Sequence, residues 1–94
     1  MKRLDLIMSE RELDKVLNAL KQAGAPGYSV MRHVTGQGRG GDVVSESMDF
    51  SGLGANAHVI VFCDEATIEQ LKPTLNSIFS YYGGVAFVAD AQPL

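Results

Sequence analysis

Leu4, Leu6 and Met8 alternate with Arg3, Asp5 and Ile7, a period of two that predicts a first strand. Ser9 and Glu12 then have the spacing of a capping box, in which the Ser9 hydroxyl accepts from the Glu12 N–H and the Glu12 carboxylate reaches back. Leu13, Val16, Leu17 and Leu20 follow at helical spacing and make one apolar stripe. Gly24 stands where a left-handed C-cap is wanted and Pro26 cannot continue a helix, so the first helix is expected over about residues 10–23. Residues 27–35 alternate again. Tyr28, Val30, Arg32 and Val34 would share one face of a second strand; Ser29, Met31, His33 and Thr35 would share the other. Neither face is wholly apolar, so at least one meets solvent or a neighbouring subunit.

From Gly36 to Gly54 the periodicity is lost, and the hydrophobic residues Val43, Val44, Met48, Phe50 and Leu53 are too scattered to build a core. Residues 57–62, from Ala57 to Phe62, form a short apolar run broken only by His58, which reads as a central strand buried on both faces. Asp64 can cap a second helix whose stripe is Ile68, Leu71, Leu75, Ile78 and Phe79. Pro73 lies inside that stripe, and an interior proline costs ~3 kcal/mol unless the helix kinks or has only just begun. A kink or a late start is therefore expected. Gly83 and Gly84 end the helix, and residues 85–91 make the last strand. The order is β-α-β-β-α-β in a single domain over residues 1–94. It predicts an α+β, ferredoxin-like βαββαβ fold: an antiparallel four-stranded sheet with two helices on one face. The other sheet face is left bare, and hydrophobic residues on a bare face predict self-association.

Composition narrows the functional classes. A chain of 94 residues has room for one core, and 46% hydrophobic with 20% charged residues is ordinary for a globular protein. The net charge of −3 supplies no global basic field for nucleic acid or an anionic membrane. No run approaches the ~18 apolar residues of a membrane span, and the first residues lack a signal-peptide core, so a cytoplasmic protein without direct membrane insertion is expected. The single cysteine, Cys63, has no internal disulfide partner and reads as a buried thiol at a strand end.

The strongest chemical signal is the segment Gly36, Gln37, Gly38, Arg39, Gly40 and Gly41, which opens the long loop. Glycines expose backbone N–H groups and permit close approach, and Arg39 is the cation beside them, which points to an anion such as phosphate. The segment lacks the Gly-Lys-Ser/Thr ending of a P-loop and opens no helix, so it serves equally as an anion-binding loop or a glycine hinge. His33 and His58 lie on strands expected to pair, but no Cys, Asp or Glu cluster completes a metal shell, which favours solvated or hydrogen-bonded histidines over a metal site. Ser45, Ser47 and Ser51 beside Glu46 and Asp49 read as solvating residues, with modification as the alternative. Tyr81 and Tyr82 either stack on a base or simply pack. No activated nucleophile or paired carboxylates mark a catalytic site, so no enzyme activity is expected.

With this fold and this loop, the chain resembles the PII signalling superfamily. The resemblance rests on residues 24–31, Gly-Ala-Pro-Gly-Tyr-Ser-Val-Met, and on Gly36, Gln37, Gly38 and Arg39, which are similar to the Gly-x-Gly-Arg opening of the PII T-loop. The Gly-Tyr-Ser-Val-Met wording is similar to the inorganic-carbon branch, which includes SbtB, the partner of a bicarbonate transporter, and the carboxysome-associated PII proteins. The resemblance implies a homotrimer built on the bare sheet faces, with an adenine nucleotide (AMP, ADP or ATP) in each cleft between subunits. Residue by residue, Gly27, Tyr28 and Ser29 match the segment lying against adenine and ribose, and Phe62 and Cys63 match the strand end that reads the adenine edge. Gly36, Gln37, Gly38 and Arg39 match the phosphate-facing base of the T-loop, with Gly40 and Gly41 continuing it, and Gly83 and Gly84 match the B-loop.

Three departures qualify this. Val85 stands where PII proteins carry a lysine after the B-loop glycine; the arginines found beyond the fourth strand are missing from the run Asp90, Ala91, Gln92, Pro93, Leu94; and the T-loop, about residues 36–54, has no tyrosine to modify. The implied function is a nucleotide sensor that signals through T-loop order to a partner, a bicarbonate transporter or carboxysome component, with bicarbonate as a second effector. The alternative on the same fold is a CutA-like trimeric metal-tolerance protein, for which only His33 and His58 offer ligands.

Overall fold

The computed structural model of the chain describes residues 1–36 and 56–94. The expected loop core, Gln37 to Gly41, and the rest of the T-loop to Gly54 lie outside the described residues. Strand β1 (Lys2–Ser9) leads through a 3-10 turn (Glu10–Glu12) into α1 (Leu13–Gln22). Strands β2 (Ser29–Val34) and β3 (Asn56–Cys63) follow, then α2 (Glu65–Tyr82) and β4 (Val85–Asp90). The four strands make one antiparallel sheet in the order β2-β3-β1-β4, the ferredoxin-like arrangement predicted from the sequence.

The turns follow from local chemistry, with one correction. Ser9 Oγ accepts from the N–H of Arg11 at 3.3 Å rather than from Glu12, because residues 10–12 wind as a tighter 3-10 turn. Glu12 does not reach back; it pairs with Lys15 at 3.1 Å on its own helix. At the far end of α1 the Ala25 N–H donates to the Leu20 carbonyl at 3.0 Å and the Gly24 N–H to Lys21 at 3.1 Å. With Gly24 at φ 75°, this is a Schellman cap. Asp64 caps α2 as expected, accepting from the Thr67 N–H at 2.8 Å and the Thr67 hydroxyl at 2.7 Å.

α2 runs unbroken from Glu65 through Pro73 to Tyr82, so of the two alternatives expected from the proline, a kink or a late start, the late start is not found. Pro73 is on the exposed side, while Ile68, Leu71 and Leu75 on the other side are buried in the core. Packing of that stripe outweighs the one lost N–H···O bond to the Glu69 carbonyl. The core joins it to Leu4, Leu6 and Met8 of β1, Val16 and Leu20 of α1, and Val59 and Val61 of β3.

Two strand readings need correction. β3 is buried on one face only: Ala57, Val59, Val61 and Cys63 are buried under the helices, while His58 and Ile60 are half-buried and Phe62 is exposed on the bare face. In β2, Met31 pairs with His58 but Val34 pairs with Asn56, so one extra residue bulges between them. His33 sits in this bulge at φ 60°. A one-residue slip turns every later side chain to the other face, so Val34 does not share the face of Val30 as the alternation predicts. β4 is exposed along its whole length, with Val85, Phe87 and Val88 open.

Pro73→Ala restores a backbone donor at an exposed helical position, and should stabilise the protein by about 1–3 kcal/mol after allowing for the stiffer unfolded chain that proline gives. Urea unfolding checks this; an unchanged or lowered midpoint would show that α2 bends around Pro73 in a way that alanine cannot match.

Candidate functional site

The register of the sheet sorts the predicted site residues into two groups. Ser29 pairs with Ile60, and Phe62 and Cys63 pair with Arg3 and Lys2, so residues 27–29 and the end of β3 meet at one end of the sheet. Val34 pairs with Asn56, and Val85 with Ile7, so Gly36 and the Gly83–Gly84 pair lie at the opposite end. At ~3.4 Å per residue, the six residues of β2 hold the two groups roughly 17 Å apart. Within the second group, Gly36 follows one edge strand and Gly84 precedes the other. Three strand spacings, roughly 14 Å, separate those edges. A single protomer therefore gathers the expected adenine wall, but holds Gly36 and Gly83–Gly84 on opposite edges.

The glycines differ in what they do. Gly84, at φ 130°, packs so closely that an added Cβ would come within 2.7 Å of Phe79 Cδ1 and 3.0 Å of the Ile7 carbonyl. It is required by the protomer itself. Gly83, at φ 91°, closes α2 by donating to the Phe79 carbonyl at 2.9 Å. Nothing lies within 4 Å of a Cβ built on Gly27 or on Gly36. At the Gly27 end Tyr28 and Phe62 are 39% and 46% exposed, which leaves both rings open where the adenine is expected. Tyr81 and Tyr82 meet edge to face at 4.6 Å, and Lys15 lies over the Tyr82 ring at 4.7 Å, so this pair packs locally.

The bare sheet face carries a polar network that the sequence reading passed over. Arg3 donates to both carboxylate oxygens of Asp5, at 2.9 and 3.1 Å, and His58 Nε2 lies 2.8 Å from Asp5 Oδ1. The Arg3 guanidinium also lies over the Phe62 ring at 5.9 Å. The Arg3 hydrogen bonds hold the Asp5 carboxyl below its ordinary range; burial opposes them and His58 adds to them. The available signal was parity: Arg3 and Asp5 are two apart on a strand whose other face is Leu4, Leu6 and Met8. A second cluster, also passed over, joins Glu10 to Arg32 at 3.1 Å and to the His33 N–H at 2.6 Å. That backbone bond is the chief reason the Glu10 carboxyl is lowered. Burial raises the Cys63 thiol, which is buried at the end of β3 as expected.

His33 and His58 thus engage different carboxylates, and among the described residues no three His, Cys, Asp or Glu side chains converge as a metal shell would require. A groove of about 170 Å³ between α2 and β4, lined by Leu4, Leu75 and Val88, touches none of the expected nucleotide residues. No helix among the described residues is long and apolar enough to cross a membrane.

Comparison with known proteins gives a consistent result. The family model for nitrogen regulatory protein P-II matches residues 1–94. The chain is similar in structure to CPII, a nitrogen regulatory PII-like protein from Thiomonas intermedia, bound to ADP, AMP and bicarbonate. The TM-score is 0.80 at 26% identity, covering 98% of this chain and 86% of that one. It is equally similar to CPII bound to ADP and bicarbonate, with TM-score 0.80, 25% identity and the same coverage, 98% and 86%. A putative PII-like signaling protein from Thermus thermophilus shares the fold at TM-score 0.65 and 19% identity, covering 94% of this chain and 82% of that one. None of the curated proteins compared matches the sequence.

The two kinds of glycine separate cleanly by mutation. Gly84→Ala should cost about 1–3 kcal/mol of stability, whereas Gly27→Ala should stay within about 0.5 kcal/mol of the parent by denaturant unfolding. Asp5 adds an acid limb. Its folded-state pKa is lowered, so its contribution is present at neutral pH and is lost as pH falls below about 4. Asp5→Asn should flatten the fall in melting temperature between about pH 7 and pH 3, and an equally steep fall in the variant would assign the acid limb elsewhere.

Proposed function

The chain belongs to the nitrogen regulatory protein P-II family, and from that premise we propose that it is a nucleotide sensor whose binding sites lie between the subunits of a homotrimer. The observation that carries this reading is the division of the site. Residues 27–29 with Phe62 and Cys63 stand at one end of the sheet, and Gly36 and Gly83–Gly84 stand on opposite edges of the other end. An adenine nucleotide laid along the β2 edge of one subunit meets Gly27, Tyr28, Ser29, Phe62 and Cys63 with its base and Gly36 with its phosphates. The Gly83–Gly84 turn of a neighbouring subunit closes the cleft from the other side. The exposed apolar residues of the bare face, Met31, Phe62, Val85 and Phe87, supply the surface that brings subunits together.

Gln37, Gly38, Arg39, Gly40 and Gly41 complete the phosphate arm in this proposal. Arg39 provides the charge, and ordering of the following segment on binding is what a partner reads. The CPII structures, bound to ADP, AMP and bicarbonate, support adenine nucleotides as effectors and bicarbonate as a second ligand. Bicarbonate as a ligand fits a role in inorganic-carbon regulation, and the regulated partner in this proposal is a bicarbonate transporter or a carboxysome component. Val85, the first residue of β4, stands where the family carries a phosphate-binding lysine. A third phosphate therefore gains little, and AMP or ADP competes well with ATP.

Calorimetric titration of the three nucleotides tests this. AMP and ADP should bind at least as tightly as ATP within about tenfold, and Arg39→Ala should weaken ADP by about tenfold or more, the loss of one charge-assisted hydrogen bond. ATP binding far tighter than both, or ADP affinity indifferent to Arg39, contradicts the proposed arm.

A further inference from the structure

We propose that Glu10 is a positioning residue for the phosphate arm, acting through a clamp on Arg32 and His33 that sets the direction in which the chain leaves β2. The inference rests on the nucleotide-binding reading for its consequence, though not for the clamp itself. His33, at φ 60°, is the one non-glycine residue at positive φ among the described residues, a conformation that is uncommon outside glycine and that histidine reaches more readily than most. It occupies the bulge, the extra residue between the Met31–His58 and Val34–Asn56 pairs. β2 is an edge strand with a single sheet neighbour, so its own ladder cannot hold the bulge from the other side.

Glu10 holds it. Its side chain is only 17% exposed, and both of its oxygens are used. Oε2 accepts the His33 N–H at 2.6 Å and lies 3.3 Å from His33 Nδ1, while Oε1 accepts from Arg32 at 3.1 Å. The carboxylate comes from the turn after β1, 22 residues before Arg32, so the clamp ties the end of β2 to the body of the domain rather than to itself. Beyond it, Asn56 Nδ2 donates to the Val34 carbonyl at 2.9 Å, and two residues later stands Gly36, the first of the expected phosphate arm. Releasing His33 to an ordinary φ removes the bulge and slips the register by one. Val34, Thr35 and Gly36 then turn to the opposite face. Glu10 touches no nucleotide in this scheme.

The test uses the full chain as Glu10→Ala, Glu10→Gln, His33→Gly and the Glu10→Ala/His33→Gly double variant, with two readouts. The first is amide hydrogen exchange at Val34, Thr35 and Gly36 without nucleotide. Glu10→Ala should accelerate it about fivefold or more, and Glu10→Gln, which keeps an acceptor, by less. The second is calorimetric binding of ADP against adenosine. Glu10→Ala should weaken ADP about tenfold and leave adenosine within about twofold, because only the phosphate end is displaced. His33→Gly, free to adopt positive φ, should recover most of the ADP loss in the double variant. Unchanged exchange at the three amides in Glu10→Ala, equal weakening of ADP and adenosine, or no recovery in the double variant each overturns the proposal. A parent protein that binds no nucleotide defeats the sensor reading instead, and the exchange readout still decides the clamp. If Glu10→Ala fails to fold by circular dichroism, Glu10→Gln and its double variant with His33→Gly carry the same comparison.

Discussion

Two helices cover one face of a four-stranded sheet, and this sheet carries apolar side chains on both. On the helix side Leu4, Leu6, Met8, Val59 and Val61 are buried. On the other, Met31, Phe62, Val85 and Phe87 stand open around the Arg3–Asp5–His58 network. The described residues of this domain supply no third layer, so the proposed trimer is what would take the second face out of water. The polar network is then more than surface decoration. Asp5 already satisfies two partners inside the protomer, so the face can be dried without stranding a charge, which an unpaired carboxylate at its centre would forbid.

The same geometry explains why the expected ligand residues look incomplete in one subunit. Strand pairing places the proposed adenine wall and the glycine turn before β4 at opposite ends of the sheet, and β2 and β4 are its two edges. In the proposed trimer unlike edges meet, so a cleft between copies would contain residues that no single copy can bring together. Gly84 shows that a motif residue can also serve its own fold: its missing Cβ admits Phe79 and the Ile7 carbonyl at the seam of α2, β1 and β4.

Much of this was legible in the residues, for identifiable reasons. Period-two and helical spacings located the elements, because burial on one face imposes them, and Gly24 and Asp64 marked helix ends through chemistry that acts locally. What escaped was set by contacts distant in sequence. The bulge at His33, whose N–H meets Glu10 from 23 residues away, put Val34 on the face opposite to the one the alternation of β2 predicted. The continuous apolar run of β3 suggested burial on both faces, whereas the protomer buries one; periodicity cannot tell a buried face from one awaiting a partner. Pro73 suggested a late start because the strength of the stripe Ile68, Leu71 and Leu75 against the proline's cost cannot be weighed before the core is seen. Arg3, Asp5 and Glu10 carried no chemical signal until the fold supplied their partners.

The claim on which the functional reading turns is that nucleotide binds between chains and not within one. Native mass spectrometry of the protein with ADP measures this directly. The expected spectrum shows trimers carrying up to one ADP per chain, with monomers produced on dissociation free of nucleotide. A stable monomer that retains ADP would place the whole site within one subunit and contradict it.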